Sequence, residues 1–429
     1  MLSLAARIEL EKDKIVRIIG PAHVNIEEGC IRILGINFCK GSNVLIHRYR
    51  SYAIKAVENA VMSITLGEGG SIEEPAEGEE VIDVWEQITK EILDEGESVV
   101  IIGPVDSGKT SFSLLISNIS LDRGMKPALI DADIGQGDLA PPGFIAMKIM
   151  DRKVLWLREI RGEVLRLIGA ITPTVAFAAI RLLAAISELV SKARMYGAKP
   201  IIINTDGWTS GILALEFKLN MIKTVKPSHV VVLDEDICIK IKNSLKGSSV
   251  KVLCAPRPKI VRERDRLDRK YLRRQHYQMY FTNAKKVCVD LDKISILGSC
   301  LFSGSFESPL NERIADIIKE SSAIASCHDD AIIVLLEKSN AEIVTKIREA
   351  FPDKELYIIH KDNVKGLLAA ILDKNLEEKA PAIIEDIDII NRRICLLTEY
   401  SNDINGIYIG RIRLTDEWEE ISRYVKCPL

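Results

Sequence analysis

The sequence predicts an α/β protein: a mostly parallel sheet wrapped by helices, flanked by a small N-terminal β domain and a C-terminal mixed, largely β domain. Three observations lead there. Between Val99 and Leu233 apolar strands alternate with helical patterns, which is how a parallel sheet with crossover helices reads. Before residue 70 and after about residue 285, short apolar or alternating runs dominate, punctuated by turn residues. At 429 residues the chain is too long for one ordinary domain, and its 47% hydrophobic content is ample for real cores. The expected divisions are 1–72, 73–284 and 285–429.

Taken in order, Ile15–Ile19, Val24–Ile26, Cys30–Leu34, Val44–His47 and Ala60–Leu66 read as strands, cut by Gly20-Pro21, Glu28-Gly29, Gly35 and Gly41-Ser42. They predict a small sandwich or barrel. The acidic, glycine-rich stretch from Gly67 to Glu80 reads as a linker or surface loop. A helix follows over Val81–Asp94. Then come strand Val99–Ile102, helix Lys109–Ile119, strand Ala128–Ile130, helix Ala176–Met195, strand Pro200–Ile203, helix Gly211–Thr224 and strand His229–Leu233. Beyond Lys285, helices are expected at Glu342–Phe351 and Asn363–Leu372. A β-meander is expected from Pro381 to Leu414, turning at Asn391-Arg392 and Asn405-Gly406.

A net charge of −3 decides little about partners, because a locally basic groove serves a neutral protein as well. The N-terminus lacks the apolar core of a signal peptide, and no run reaches 18 apolar residues, so a cytoplasmic protein is expected. The nine cysteines form no CxxC pair, and Cys238, Cys254, Cys288 and Cys395 lie in apolar segments; buried reduced thiols are the expected state. Six scattered histidines offer no HExxH or close pair, so no metal cage built from them is expected.

The segment Gly103-Pro104-Val105-Asp106-Ser107-Gly108-Lys109-Thr110 fits G-x-x-x-x-G-K-[ST], the Walker A pattern of a P-loop, with Ser111 next in the helix it opens. It follows a strand directly, and that context separates a phosphate cradle from a chance glycine-rich turn. Backbone N–H groups and the helix N-terminus supply positive potential there. Lys109 is expected on the β- and γ-phosphates and Thr110 on Mg²⁺, with ATP or another nucleoside triphosphate as the nucleotide. The motif alone does not choose among ATPase, GTPase and kinase.

After the strand at Ala128–Ile130 stands Asp131-Ala132-Asp133-Ile134-Gly135-Gln136-Gly137-Asp138, two carboxylates one residue apart at a strand's C-terminal end. One is suited to the metal, and Asp131 is expected there. The other, Asp133, is suited to accept a proton from an attacking hydroxyl. The plainer alternative is that one aspartate only caps the following turn.

The block Asp131 to Gly143 (DADIGQGDLAPPG), following GPVDSGKT, resembles the polynucleotide 5′-hydroxyl kinase family, which includes the kinase subunit of the pre-mRNA cleavage machinery, a pre-ribosomal RNA kinase and archaeal relatives. Ile203 to Gly211 (INTDGWTSG) resembles the N-T-x-G-W-x-x-G stretch of that family, and Arg262 to Phe281 resembles its arginine-rich lid. Leu66-Gly67 followed by Ile72-Glu73-Glu74 resembles the junction of its N-terminal β domain with its kinase domain. The resemblance implies ATP- and Mg²⁺-dependent transfer of the γ-phosphate to the 5′-hydroxyl of RNA, or of DNA, in RNA processing, with an RNA-processing endonuclease as a partner. It implies Asp133 as the base, Gln136 near the terminal nucleotide, Thr172 (or Thr174) with Trp208 as a clasp on the acceptor end, and Arg269 and Arg273 as lid arginines.

Physical reasoning supports several of these roles independently. A Trp face in a polar turn stacks on a base without reading it, although a half-buried core Trp looks the same in sequence. From Arg257 to Arg274 nine basic residues stand against three acidic ones. On a helix Arg262, Arg266, Arg269 and Arg273 recur at spacings of four, three and four and share one face. Such a run is often just a solvated face, yet it also suits transition-state charge or an RNA backbone, and Arg262 and Arg266 are the candidates for RNA. Two other functions stay open at this point: an ATP-holding scaffold in an RNA-processing complex, and a P-loop ATPase or GTPase switch. The stretch from Glu312 to Asp373 carries no recognisable motif.

Overall fold

The computed structural model describes residues 4–260, 263–305, 309–319, 323–338, 340–421 and 427–429. The chain divides into two compact units, one of Met1–Leu139, Ala146–Glu163 and Thr174–Arg269, the other of Ala140–Ile145, Val164–Pro173 and Lys270–Leu429.

The first unit opens with an all-β domain of two sheets. One runs Leu4–Leu10, Ala60–Leu66, Ala22–Glu28, Asn43–Ile46; the other runs Ile36–Cys39, Cys30–Ile33, Ser51–Ala56, Ile15–Ile19, Ser71–Glu73. Alternation drives it. In Ala60–Leu66 every second residue is buried, and Val24, Ile26, Ile31, Ile33, Ile54 and Met62 are at most 1% exposed.

The nucleotide-type sheet follows. Ser98–Ile102 is its central strand, lying parallel between Ile201–Thr205 and His229–Val232. Ala128–Ala132 lies outside the former and Lys251–Cys254 outside the latter, both parallel. Phe144–Ile149 adds an antiparallel neighbour to Ala128–Ala132. All five residues of Ser98–Ile102 are buried, as expected of a strand covered on both faces. Around the sheet stand helices α1 (Ile82–Glu95), α2 (Lys109–Asp122), α3 (Ala176–Met195), α4 (Ile212–Val225) and α5 (Glu235–Ser244). The chain leaves the central strand to one side for Ala128–Ala132 and later to the other for His229–Val232. The crevice at that reversal, beyond the strands' C-terminal ends, is where open α/β sheets bind ligands.

The second unit holds a sheet in the order Lys285–Asp290, Arg393–Thr398, Glu378–Asp388, Leu367–Leu372, Gly406–Leu414, Ser295–Leu297. The segment without a recognisable motif supplies a separate three-stranded sheet of Ala323–Cys327, Ala331–Leu336 and Glu355–His360, packed with the helix Ala341–Ala350 through Ile332, Val334, Ile343 and Ile347.

Three expectations are corrected. Asn363–Leu372 is not a helix: Leu367–Leu372 is a fully buried strand, whose unbroken apolar run LLAAIL carries no period to tell strand from helix. The meander stops after one hairpin, because Gly406–Leu414 pairs with Leu367–Leu372 rather than with Arg393–Thr398. Eight cysteines form disulfides, Cys30–Cys39, Cys238–Cys254, Cys288–Cys395 and Cys300–Cys427, rather than standing as reduced thiols. Strand register places Cys30 across from Cys39 and Cys288 across from Cys395, a relation that spacing along the chain does not encode.

Candidate nucleotide and phosphoryl-transfer site

The strand Ser98–Ile102 runs straight into Gly103, and α2 begins at Lys109. Gly108 has φ 94°, a left-handed conformation, and a Cβ there would stand 2.7 Å from the Trp85 ring. Trp85 is 3% exposed, held by an Nε1–H bond to the Pro256 carbonyl (2.7 Å) and an edge contact with Phe112. It forms part of the floor beneath the loop. Lys109 is buried and its ammonium donates to the carbonyls of Gly103 (2.9 Å) and Pro104 (2.7 Å). Burial lowers its pKa to about 8, with the nearby Asp133 charge opposing. The Ser107 hydroxyl is buried and has no hydrogen-bond partner among the described residues, a donor suited to a phosphate oxygen.

Asp131 ends its strand wholly buried. Its Oδ2 accepts from the N–H of Asp138 (2.7 Å) and Leu139 (3.3 Å), and its Oδ1 accepts from Asn204 Nδ2 (2.9 Å). Desolvation first, then the charge of Asp138, pushes its pKa up to about 7. Asn204 Nδ2 also lies 3.3 Å from Thr110 Oγ1, while Asn204 Oδ1 is buried without a partner. The Asn204 amide thus turns its NH₂ end toward Thr110 and Asp131, and the oxygen donors these residues offer a Mg²⁺ ion are the Thr110 hydroxyl and the Asp131 carboxylate. Asn204 had no assigned role in the sequence reading, although its strand–turn context is the signal that marks it.

Asp133 is half-buried, and Oδ1 accepts from the N–H of Gly135 (3.1 Å) and Gln136 (2.9 Å). It caps the turn, as the plainer alternative held, but with one oxygen only. Among the described residues Oδ2 accepts no hydrogen bond. Burial raises its pKa and Lys109 opposes the rise. Gln136 is half-buried, its side-chain amide turned onto the Gly135 carbonyl (2.7 Å).

Asp106, at φ 58°, accepts from two arginines: Arg264 Nε (3.0 Å) and Nη2 (2.7 Å), and Arg269 Nη2 (3.2 Å). Arg269 thus stands at the phosphate loop. Arg264 does too, unassigned beforehand because nothing in the basic run distinguishes it. The helix α6 (Arg266–Phe281) begins on an exposed Arg266, whereas Arg273 donates through Nε to Glu420 (2.6 Å). Arg262 lies outside the described residues. Trp208 is half-buried, its N–H on Asp206 Oδ1 (2.8 Å) and its ring 5.7 Å from Phe217. Asp206 is in turn held by the buried Lys218 ammonium (2.7 Å). Thr172 is half-buried and Thr174 exposed.

A cavity joins some of these parts, and Asp131, Trp208 and Arg269 do not line it. The loop from Val105 to Ser111, with Asp133, Gln136 and Arg264, shares it with Arg17, Arg50, Tyr52 and Trp85. The first three come from the N-terminal β domain, to which the sequence assigned no site residue. Arg50 and Arg158 both pair with Asp138 and both lie over the Trp156 ring, at 4.9 and 5.3 Å from its centroid.

Residues 103–283 match the family model described as mRNA cleavage and polyadenylation factor CLP1 P-loop. The polyribonucleotide 5′-hydroxyl-kinase of Pyrococcus furiosus is 27% identical over 346 residues, spanning 78% of this chain and 93% of that protein. The polyribonucleotide 5′-hydroxyl-kinase of Pyrococcus abyssi is 28% identical over 353 residues, spanning 77% and 91%. A CLP1 homolog of Arabidopsis thaliana is 28% identical over 36% of this chain. The structure of a wild-type Clp1p–Pcf11p complex superposes with a TM-score of 0.65 at 14% identity, over 96% of this chain and 98% of that one, so the fold is shared. With the phosphate loop, the paired aspartates and the arginine helix in their expected order, the chain is similar to polyribonucleotide 5′-hydroxyl-kinases over most of its length and to the CLP1 P-loop domain over residues 103–283.

Proposed function

We propose that this chain is an ATP- and Mg²⁺-dependent polynucleotide 5′-hydroxyl kinase acting on the 5′ end of RNA. The observation that carries the reading is Asp133: a half-buried carboxylate with one oxygen tied into a turn and the other unengaged among the described residues, in the same cavity as Lys109. Its raised pKa is the direction a general base needs. Lys109 binds the β- and γ-phosphates, and Ser107 and the loop N–H groups hold the nucleotide. Thr110 and Asp131, with Asn204 bracing both, would hold Mg²⁺, whose charge would neutralise the phosphates. Arg269, and with it Arg273, belongs to the lid that meets charge developing on the transferred group. Gln136, Trp208 and Thr172 belong to the acceptor side, and Arg262 and Arg266 to the RNA track.

The expected partners are RNA with a 5′-hydroxyl end and an RNA-processing endonuclease, and the expected compartment is the cytoplasm. None of the described helices is long and apolar enough to cross a membrane. Radiolabel transfer from γ-labelled ATP to 5′-hydroxyl RNA and DNA oligonucleotides tests the reading. Labelled RNA, abolished by EDTA and by Lys109→Ala, is expected. ATP bound without turnover would make the chain a scaffold, and free phosphate without labelled RNA would make it an ATPase.

A further inference from the structure

We propose that Glu91, Glu95 and His229 bind a first-row transition dication of the zinc type, at the end of the sheet where its central strand begins. Glu91 and Glu95 are four apart near the C-terminus of α1 and so share one helix face. His229 is the first residue of the strand His229–Val232. One oxygen from each carboxylate and one ring nitrogen of His229 lie within 4.8 Å of one another.

The histidine makes this more than an acidic cluster. It is 1% exposed, and its Nε2 is buried with no hydrogen-bond partner among the described residues. Its Nδ1 lies 3.2 Å from Ser228 Oγ. That hydroxyl gives its proton to the Ser98 carbonyl (2.6 Å) and accepts from the N–H groups of Glu97 and Ser98. The tautomer that carries its proton on Nδ1, the nitrogen beside Ser228 Oγ, leaves the lone pair on Nε2. Orientation of one ring nitrogen by a hydrogen bond on the other is the usual outer support of a metal-binding histidine. Gly96 makes room for it: a Cβ there would stand 2.5 Å from Nδ1.

One imidazole and two carboxylates suit zinc or its neighbours better than Mg²⁺ or Ca²⁺, which prefer oxygen alone, and leave a fourth position for water. Lys251, whose ammonium pairs with Glu95, is the competing cation. A metal there would pin the end of α1 to the sheet. The inference stands independently of the kinase reading, because its readout is binding.

The test is calorimetric titration of the EDTA-stripped full chain with ZnCl₂ in excess Mg²⁺, which saturates the oxygen-donor cluster at the phosphate loop. One equivalent of zinc should bind. Glu91→Gln/Glu95→Gln should weaken it at least about tenfold while circular dichroism stays unchanged, and Lys251→Ala should tighten it. His229→Ala opens a buried position, so the carboxylate pair decides the matter. Absence of saturable binding, or binding indifferent to the carboxylate pair, overturns the proposal.

Discussion

The two ends of the central sheet bury polar groups in opposite ways. At the phosphate end Asp131 has three donors shared over both oxygens and Asp133 two on a single oxygen, all from nearby backbone or Asn204, and among the described residues Ser107 Oγ, Asn204 Oδ1 and Asp133 Oδ2 have no partner. At the other end His229 is supported on one ring nitrogen and has nothing on the second. A carboxylate saturated by backbone N–H groups is positioned before any ligand arrives. An orphan atom marks where a ligand completes the structure.

That comparison breaks most visibly at Asp133. Asp133→Asn keeps the shape and removes the base, so turnover should fall about 10²–10⁴-fold with ATP and RNA binding retained. If Asp131→Asn proves the more damaging change in single-turnover assays, the two roles are exchanged. Next comes the lid. Arg269→Ala should lower kcat about 10²–10³-fold with little change in KM for RNA. Arg273→Ala should cost less, since Glu420 already competes for that guanidinium. A change only in RNA affinity and its salt dependence would move both residues to the RNA track.

A smaller effect comes from pH. Asp131 must ionise to hold a metal, and its pKa stands at about 7. The Mg²⁺ concentration giving half-maximal activity should therefore rise about tenfold from pH 8 to pH 6. A flat dependence would show that Asp131 is ionised throughout or holds no metal. The smallest expected effect lies at the opposite end: Glu91→Gln/Glu95→Gln should leave phosphate transfer in Mg²⁺ within about twofold, and a large loss would mean that the two ends are coupled.

Where sequence carried a local signal, the structure agrees. The loop from Gly103 to Thr110 is bounded by strand and helix as its glycines and flanks require, and α3 runs over Ala176–Met195 as the apolar periodicity predicts. Relations made by the fold stayed hidden. Arg17, Arg50 and Tyr52 reach the cavity only because two distant segments meet, and no pattern within residues 1–72 records that. Arg264 looked like any of its basic neighbours until Asp106 selected it. Leu367–Leu372 went astray because full burial erases periodicity, whereas the equally buried Ser98–Ile102 was announced by the glycine-rich loop after it.

Gly108 has a consequence for how this protein drifts over evolutionary time. The position is closed twice, by a backbone angle that side chains other than glycine's resist and by the Trp85 ring. Shrinking Trp85 opens the space without relieving the angle, so no single neighbouring change prepares the way for a replacement. The reverse is not symmetrical: Trp85 faces a glycine that accommodates any smaller ring. Lineages descending from this chain can exchange the aromatic floor for another while the glycine stays, and sequence variation here should run in one direction only.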